Sequence, residues 1–462
     1  MANYIVKEHN GSDGADSRTK GTISVWVKRS TLGTAQGVWS WGENNSSDSY
    51  CRFDAGDNLE FHSDGAGSPY NTTRLFRDPN AWYHIVFAMD ISHGTEAYRR
   101  RIYINGVEDV HGTSCSSGSA AVFGHNSVQD LYIGDIARQQ QNAGNAMPFN
   151  GYMSHFHYCD GYQYAASDFG ETDATTGEWK PKTAPSVTYG THGIFLKMED
   201  SSNMDLDSSP NASSQLSTTG TILSVKDCPS DVFCTMNPLR RFGGNLTLSQ
   251  GNNTITETAS NWQMSSATLG ANKGKFYYEY KITTIGLNNG YVKMGITSDI
   301  AGDDAAAAHG AGSSLDGGYA FYCQDGSLEA RTDDAVISGW STGDTGITFA
   351  LNDVLCMAID MDNKFIYFRK NGDAWAKSGD PTSGATGTGG INISSDYPSD
   401  NNKFAIPTLA IYSGGAGSVN FGNGYFGTTA ISSAGTNASN IGIFEHDVPT
   451  GYTAFSGKGI NA

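Results

Sequence analysis

The nine residues WYHIVFAMD (Trp82–Asp90) constrain this chain more than any other stretch. Successive side chains of a strand point to opposite faces, so Tyr83, Ile85, Phe87 and Met89 share one face and Trp82, Val86 and Ala88 the other. A strand that is apolar on both faces needs cover on both sides, which places it in the middle of a sandwich. RIYINGVED (Arg101–Asp109) follows and reads as its hairpin partner, with Asn105–Gly106 supplying the positive φ of a tight turn. The device recurs in VLCMAIDMD (Val354–Asp362) and FIYFRKNGDAW (Phe365–Trp375). Two such devices predict two sandwiches.

The rest of the pattern agrees. TISVWVKRS (Thr22–Ser30) sets Ile23, Val25 and Val27 against Thr22, Ser24 and Trp26, and Leu59 shares a face with Phe61. In GKFYYEYKIT (Gly274–Thr283), Phe276, Tyr278 and Tyr280 share a face. No long stretch keeps a 3.6-residue apolar period, so helices are not expected. The 23 Tyr, 21 Phe and 8 Trp supply cores for a β fold, while 57 Gly supply its turns. The reading is all-β: two antiparallel β-sandwich (jelly-roll) domains in tandem. Residues 1–185 form the first, 186–240 a connector partly packed on it, 241–430 the second, and 431–462 a C-terminal tail.

With 47 acidic and 29 basic residues, the net charge of −18 argues against nucleic-acid partners and anionic membranes. No apolar run approaches the ~20 residues of a membrane span. The N-terminal residues lack the basic and apolar regions of a signal peptide, so synthesis in a reducing cytoplasm is expected. The seven cysteines, at 51, 115, 159, 228, 234, 323 and 356, follow no framework spacing and read as free thiols.

Catalysis is not expected. A glycosidase needs two carboxyl groups flanking the scissile bond, yet no strand carries such a set, and Glu279 stands alone between Tyr278 and Tyr280. His155, His157 and Cys159 alternate along one face of a strand, where three ligands in a line do not close around one ion. With Phe156 and Tyr158 facing the core, these histidines should face solvent or a partner subunit. Asp200, Asp205 and Asp207, with Glu199, offer hard oxygen ligands for a structural Ca2+, against a plain solvated acidic turn. No other cofactor is expected. Tyr70, Trp179, Trp340 and Trp375 sit among short polar residues, as a ring that stacks on a sugar would. The same rings could instead pack under loops.

ISVWVKRS, AWYHIVFAMD, RIYINGVED, LYIGD and FNGYMSHFHYCDG resemble a laminin-G/concanavalin-like jelly roll. SDFGETDATTGEWKPK (Ser167–Lys182) and YGTHGIFLKMEDSS (Tyr189–Ser202) resemble a connector of bacteriophage virion proteins, particularly those of marine phages. GKFYYEYKI, VKMGIT, GYAFYCQDG, NDVLCMAIDMDNKFIYFRKNG (Asn352–Gly372), FAIPTLAIYS and GSVNFG resemble a SPRY domain. These families are mainly non-catalytic binding folds with ligand contacts in variable loops. The resemblance implies a virion structural protein, displayed as a tail-fibre or capsid-fibre appendage, that engages host-surface glycan or protein. A purely architectural capsid decoration and a polysaccharide depolymerase are the alternatives. The implied partners are other virion proteins and further copies of the chain, trimeric by analogy with phage appendages.

Overall fold

The computed structural model describes residues 3–9, 19–41, 49–63, 69–109, 130–136, 147–258, 262–286, 291–298, 318–324, 326–332, 335–400 and 402–462. Cys115 lies outside them, and the other six cysteines are free. The chain divides into two compact units, Met1–Ser224 and Val225–Ala462. Each is built from antiparallel sheets, as the alternation of its strands predicts.

In the first unit, one sheet runs in the order β15-β1-β10-β3-β4-β5-β6. Its strands are β1 (Tyr4–Lys7), β3 (Gln36–Trp41), β4 (Ser49–Phe53), β5 (Asn58–His62), β6 (Tyr70–Leu75), β10 (Leu131–Ile133) and β15 (Leu216–Thr219). The other runs β14-β11-β2-β7-β8-β9, from β2 (Lys20–Arg29), β7 (Trp82–Asp90), β8 (Arg100–Ile104), β9 (Val107–Glu108), β11 (Gly151–Asp160) and β14 (Ile194–Leu196). Between them lies a core of Ile23, Val25, Val27, Trp39, Trp41, Phe61, Ile85, Phe87, Met89, Phe156 and Tyr158. The expected hairpin is present: β7 pairs with β8, and Asn105 and Gly106 take φ of 49° and 83° before β9.

The other face of β7 is also covered, by the chain itself. A helical turn (Ala166–Phe169), a small two-stranded ribbon of β12 (Gly170–Thr172) and β13 (Trp179–Pro181), and Tyr189 close over Val86, Tyr103, Cys159 and Phe195. His157 and Cys159 therefore do not face solvent; they are 1% and 0% exposed beneath this cover. A bulge between Ser154 and His157, with His155 at φ 49°, lets β11 place Phe156 and Tyr158 inward as expected. The histidine face was expected outside because the alternation within a strand does not say which distant segment packs over its outer face.

The second unit repeats the plan. One sheet runs β16-β19-β28-β21-β22-β23-β24, from β16 (Met236–Phe242), β19 (Trp262–Ala267), β21 (Tyr291–Thr297), β22 (Tyr319–Gln324), β23 (Ser327–Thr332), β24 (Ala335–Val336) and β28 (Ile406–Tyr412). The other runs β17-β18-β29-β20-β25-β26-β27, from β17 (Leu246–Ser249), β18 (Thr254–Glu257), β20 (Lys275–Thr284), β25 (Val354–Asp360), β26 (Phe365–Lys370), β27 (Ile391–Asn392) and β29 (Ala416–Asn420). Phe276, Tyr278 and Tyr280 share the core face, with Met357, Phe368, Met294 and Ile411.

Residues 431–462 are not a tail. Phe444, Val448, Tyr452 and Ala454 pack on Tyr277, Cys356, Ala358 and Tyr367, the outer face of β20, β25 and β26. Thr453–Ala454 also pair in parallel with Phe276–Tyr277. The stretch read as a connector is divided between the units. β14 and β15 complete the first, whereas Phe233 is buried in the second and bridges to Ser456.

Candidate functional site

The aromatic rings proposed from sequence are packed rather than presented. Tyr70 is 9% exposed among the core side chains of the first unit, its hydroxyl pushed well up by burial and by nearby Asp109. Trp340 is 7% exposed in the core of the second, edge-on to Phe368 at 6.5 Å. Trp375 is half-buried, with the Arg369 guanidinium 4.6 Å above its ring and Tyr367 at its edge. Trp179 is half-buried and donates its indole N–H to His84 Nδ1 at 3.0 Å. Its ring lies where Gly106 and Gly170 leave no Cβ. Short polar neighbours in sequence do not report exposure, because a loop can fold its ring inward beneath them.

The candidate calcium ligands do not converge. Asp207 is buried, and its two oxygens accept from the N–H groups of Phe195, Ser209 and Ser213 and from Ser209 Oγ. Asp200 accepts from Ser202, Asp205 accepts from Thr218, and Glu199 pairs with Lys197 at 3.4 Å. Among the described residues no group of three or more His, Cys, Asp or Glu is arranged to hold a metal ion. These carboxylates organise turns.

Two buried groups carry residue types used in catalysis. Ser24 Oγ lies 2.8 Å from His84 Nε2. Because Trp179 donates to Nδ1, the ring proton sits on Nε2 and points at Ser24, the reverse of what a general base needs. Glu279 is fully buried, and burial pushes its carboxyl up to about 7 against four donors. They are the N–H groups of Glu445 and His446 at 2.9 and 2.8 Å, Tyr277 Oη at 3.0 Å and Asn420 Nδ2 at 3.2 Å. Both groups fasten outer layers to their sheets.

The structure instead gathers aromatic rings on the second unit, on the face of the β19-β28-β21-β22 sheet turned away from the core. Register makes Trp262 of β19 the partner of Tyr412 of β28, which is in turn the partner of Tyr291 of β21. The Tyr412 ring lies 5.5 Å from each. Tyr322 of β22 joins at 5.8 Å from Trp262 and 6.0 Å from Tyr291. Lys293 threads between them, its Nζ 4.8 Å from the Trp262 ring and 5.2 Å from that of Tyr322. Arg331 of β23 lies over Tyr322 at 4.6 Å, and its Nε donates to Glu329 at 2.6 Å. Trp262, Tyr291 and Tyr412 are half-buried, whereas Met264, Ala410, Lys293, Tyr322 and Glu329 are buried around them. Such a cluster offers half-buried ring faces beside hydroxyl and guanidinium groups, the mixture that suits a sugar's C–H face and hydroxyl rim.

Alternation in YVKMGIT places Tyr291 and Lys293 opposite the core residues Val292 and Met294, and this much is readable locally. That Trp262, Tyr412 and Tyr291 stand in one row follows only from the register of strands far apart in sequence.

Residues 8–162 match the Concanavalin A-like lectin/glucanases superfamily. The jelly-roll expected of the first unit therefore stands. No curated protein matches the chain in sequence. Among solved structures, the mouse laminin alpha1 chain domains LG4-5 are similar at 10% identity, covering 97% of this chain and 92% of that one, with a TM-score of 0.30. The SPRY domain of human HERC1 is similar at 14% identity, over 40% of this chain and 96% of that one, with a TM-score of 0.27. A heptameric SAP-like pentraxin from Limulus polyphemus is similar at 12% identity, over 35% and 71%, with a TM-score of 0.26.

Proposed function

We propose that the chain is a non-catalytic binding module that holds carbohydrate on the aromatic face of its second sandwich, displayed on a bacteriophage virion as a tail-fibre or capsid-surface appendage. The observation that carries the binding reading is the convergence of Trp262, Tyr291, Tyr322 and Tyr412 around Lys293 and Arg331. The superfamily matched by residues 8–162 includes lectins by its own description. The roles of Glu279 and His84 in fastening outer layers support the non-catalytic part. The virion location rests on the resemblance of Ser167–Lys182 and Tyr189–Ser202 to a phage connector. Display in many copies would make weak single contacts sufficient through avidity.

The test is a glycan array followed by calorimetry on the best binder, with Trp262→Ala and Tyr412→Ala. Each substitution is expected to lower affinity about tenfold, equivalent to ~1.4 kcal/mol, with the fold intact by circular dichroism. Unchanged affinity in both variants would overturn the assignment of this face. Release of reducing sugar from the bound polymer would overturn the non-catalytic reading.

A further inference from the structure

We propose that the cover over the outer face of the first sandwich is an acid-sensitive fastening, in which protonation of His84 and undocking of Trp179 are one event.

An indole N–H only donates, so its 3.0 Å contact requires that His84 Nδ1 carry no proton. The proton on Nε2 is committed to Ser24 Oγ at 2.8 Å. An imidazolium carries N–H at both nitrogens, so a charged His84 and a docked Trp179 exclude each other. The ring has no room to turn aside, being stacked on Trp26 with centroids 4.6 Å apart and fully buried. Trp179 is the clasp of the cover, because the ribbon of β12 and β13 meets the β8–β9 turn where its ring lies against Gly106 and Gly170.

A second imidazole lies under the same cover. His157 stacks on Phe195 at 3.9 Å, with Nδ1 2.9 Å from Tyr189 Oη. The charge acting on His84 comes from His155, and that on His157 from His155 and His84, so no carboxylate among the described residues compensates either ring. Asp168 of the helical turn acts on Tyr103 and Cys159 instead, Arg101 and Glu108 act on Tyr103, and Lys197 and Glu199 act on His155.

Burial holds His84 at about 3 and His157 well below the usual imidazole range. Once undocked, both return to ~6.5. A depressed folded-state value means the fastening is complete above pH ~6.5 and weakens as the pH falls towards the folded value. From pH 6.5 to 4.5, His84 alone shifts the opening equilibrium about 50-fold. Opening bares Val86, Tyr103 and Phe195 on the sheet.

Hydrogen exchange of the full chain, corrected for the intrinsic effect of pH, tests this. Peptides from 164–189 are expected to exchange at least tenfold faster at pH 4.5 than at 7.5, and to recover on return. Peptides of β3 and β20 should hold their protection. Equal protection of 164–189 at both pH values would overturn the proposal, as would loss in step with β3. His84→Phe keeps the stack and cannot titrate, so it should remove the His84 share of the pH dependence and leave that of His157; an unchanged dependence overturns the role of His84. Should that variant not fold, nitrogen shifts of His84 in the unaltered chain decide. Conversion to imidazolium in step with exchange supports the fastening, and conversion while 164–189 stays protected overturns it.

Discussion

The N–H of Val354 donates to the side-chain oxygen of Asn371 at 2.8 Å, while the N–H of Asn371 donates back to the Val354 carbonyl at 2.6 Å. His84 and Asn105 make the same pair in the first unit, at 2.7 and 2.9 Å. In both, the asparagine follows the second strand of the central hairpin at positive φ, 51° and 49°. Asparagine tolerates this backbone and supplies an acceptor just where the strand ends.

Replacing either asparagine therefore removes two things. Asn371→Ala and Asn105→Ala are each expected to cost about 1–3 kcal/mol, from an unpaired N–H and a strained φ. Glycine at the same positions relieves the strain but not the lost acceptor, so it should cost less than alanine. Urea unfolding of the three forms orders them.

Asp57 holds two arginines. Its Oδ1 lies 3.1 Å from Arg29 Nη1 and its Oδ2 accepts from Arg77 Nε at 2.9 Å, while Gly33 N–H donates to Oδ1 at 2.7 Å. Burial opposes its ionisation, yet Gly33, Arg77 and Arg29 together keep its carboxyl below the ordinary aspartate value. That lowered value contributes stability above pH ~4 that is lost as the pH falls. Asp57→Ala leaves the fully buried Arg29 without its counter-ion and is expected to cost about 3–5 kcal/mol. Thermal unfolding at pH 7 and pH 3 should show the variant's deficit shrinking in acid.

Glu279 carries the opposite sign. Its carboxyl is raised to about 7, so the proton binds more tightly in the folded state. The contribution to stability is therefore greatest in acid, declines as the pH rises from ~4.3, and levels off above about 7. Exchange of peptides from 443–456 should quicken between pH 5 and pH 8, beyond the intrinsic effect. Glu279→Ala strands the N–H groups of Glu445 and His446 and should free this segment at both pH values.

Tryptophans separate packing from binding. Trp340→Ala empties a core position and is expected to cost about 3–5 kcal/mol. Trp262→Ala, on the outer face, should cost about 1 kcal/mol or less in stability while lowering carbohydrate affinity. Paired unfolding and binding measurements on the two variants check the distinction.

The sandwiches were legible because period-2 alternation is a local signal. Tyr83, Ile85, Phe87 and Met89 face the core or its margin as read, and so do Phe276, Tyr278 and Tyr280. The outer layers were not legible. Phe444, Val448 and Tyr452 stand four apart in FEHDVPTGY, where Pro449 and Gly451 disfavour the helix that such a spacing would suit and no alternation marks a strand. Phe169, Trp179 and Tyr189 are single rings in polar stretches, too far apart for strand or helix periodicity to mark them. The both-sided apolarity of β7 and β25 demanded a cover, yet it did not say which part of the chain would provide it.

The parallel pairing of Thr453–Ala454 with Phe276–Tyr277 bears on the order in which the protein is made. On the ribosome, β20 and β25 emerge with one flank bare, and that flank stays open until residues 443–456 follow. The first unit is knit earlier, when β15 reaches β1. A nascent chain stalled before residue 443 would thus carry a finished N-terminal half joined to a sticky one, the species a chaperone would meet first.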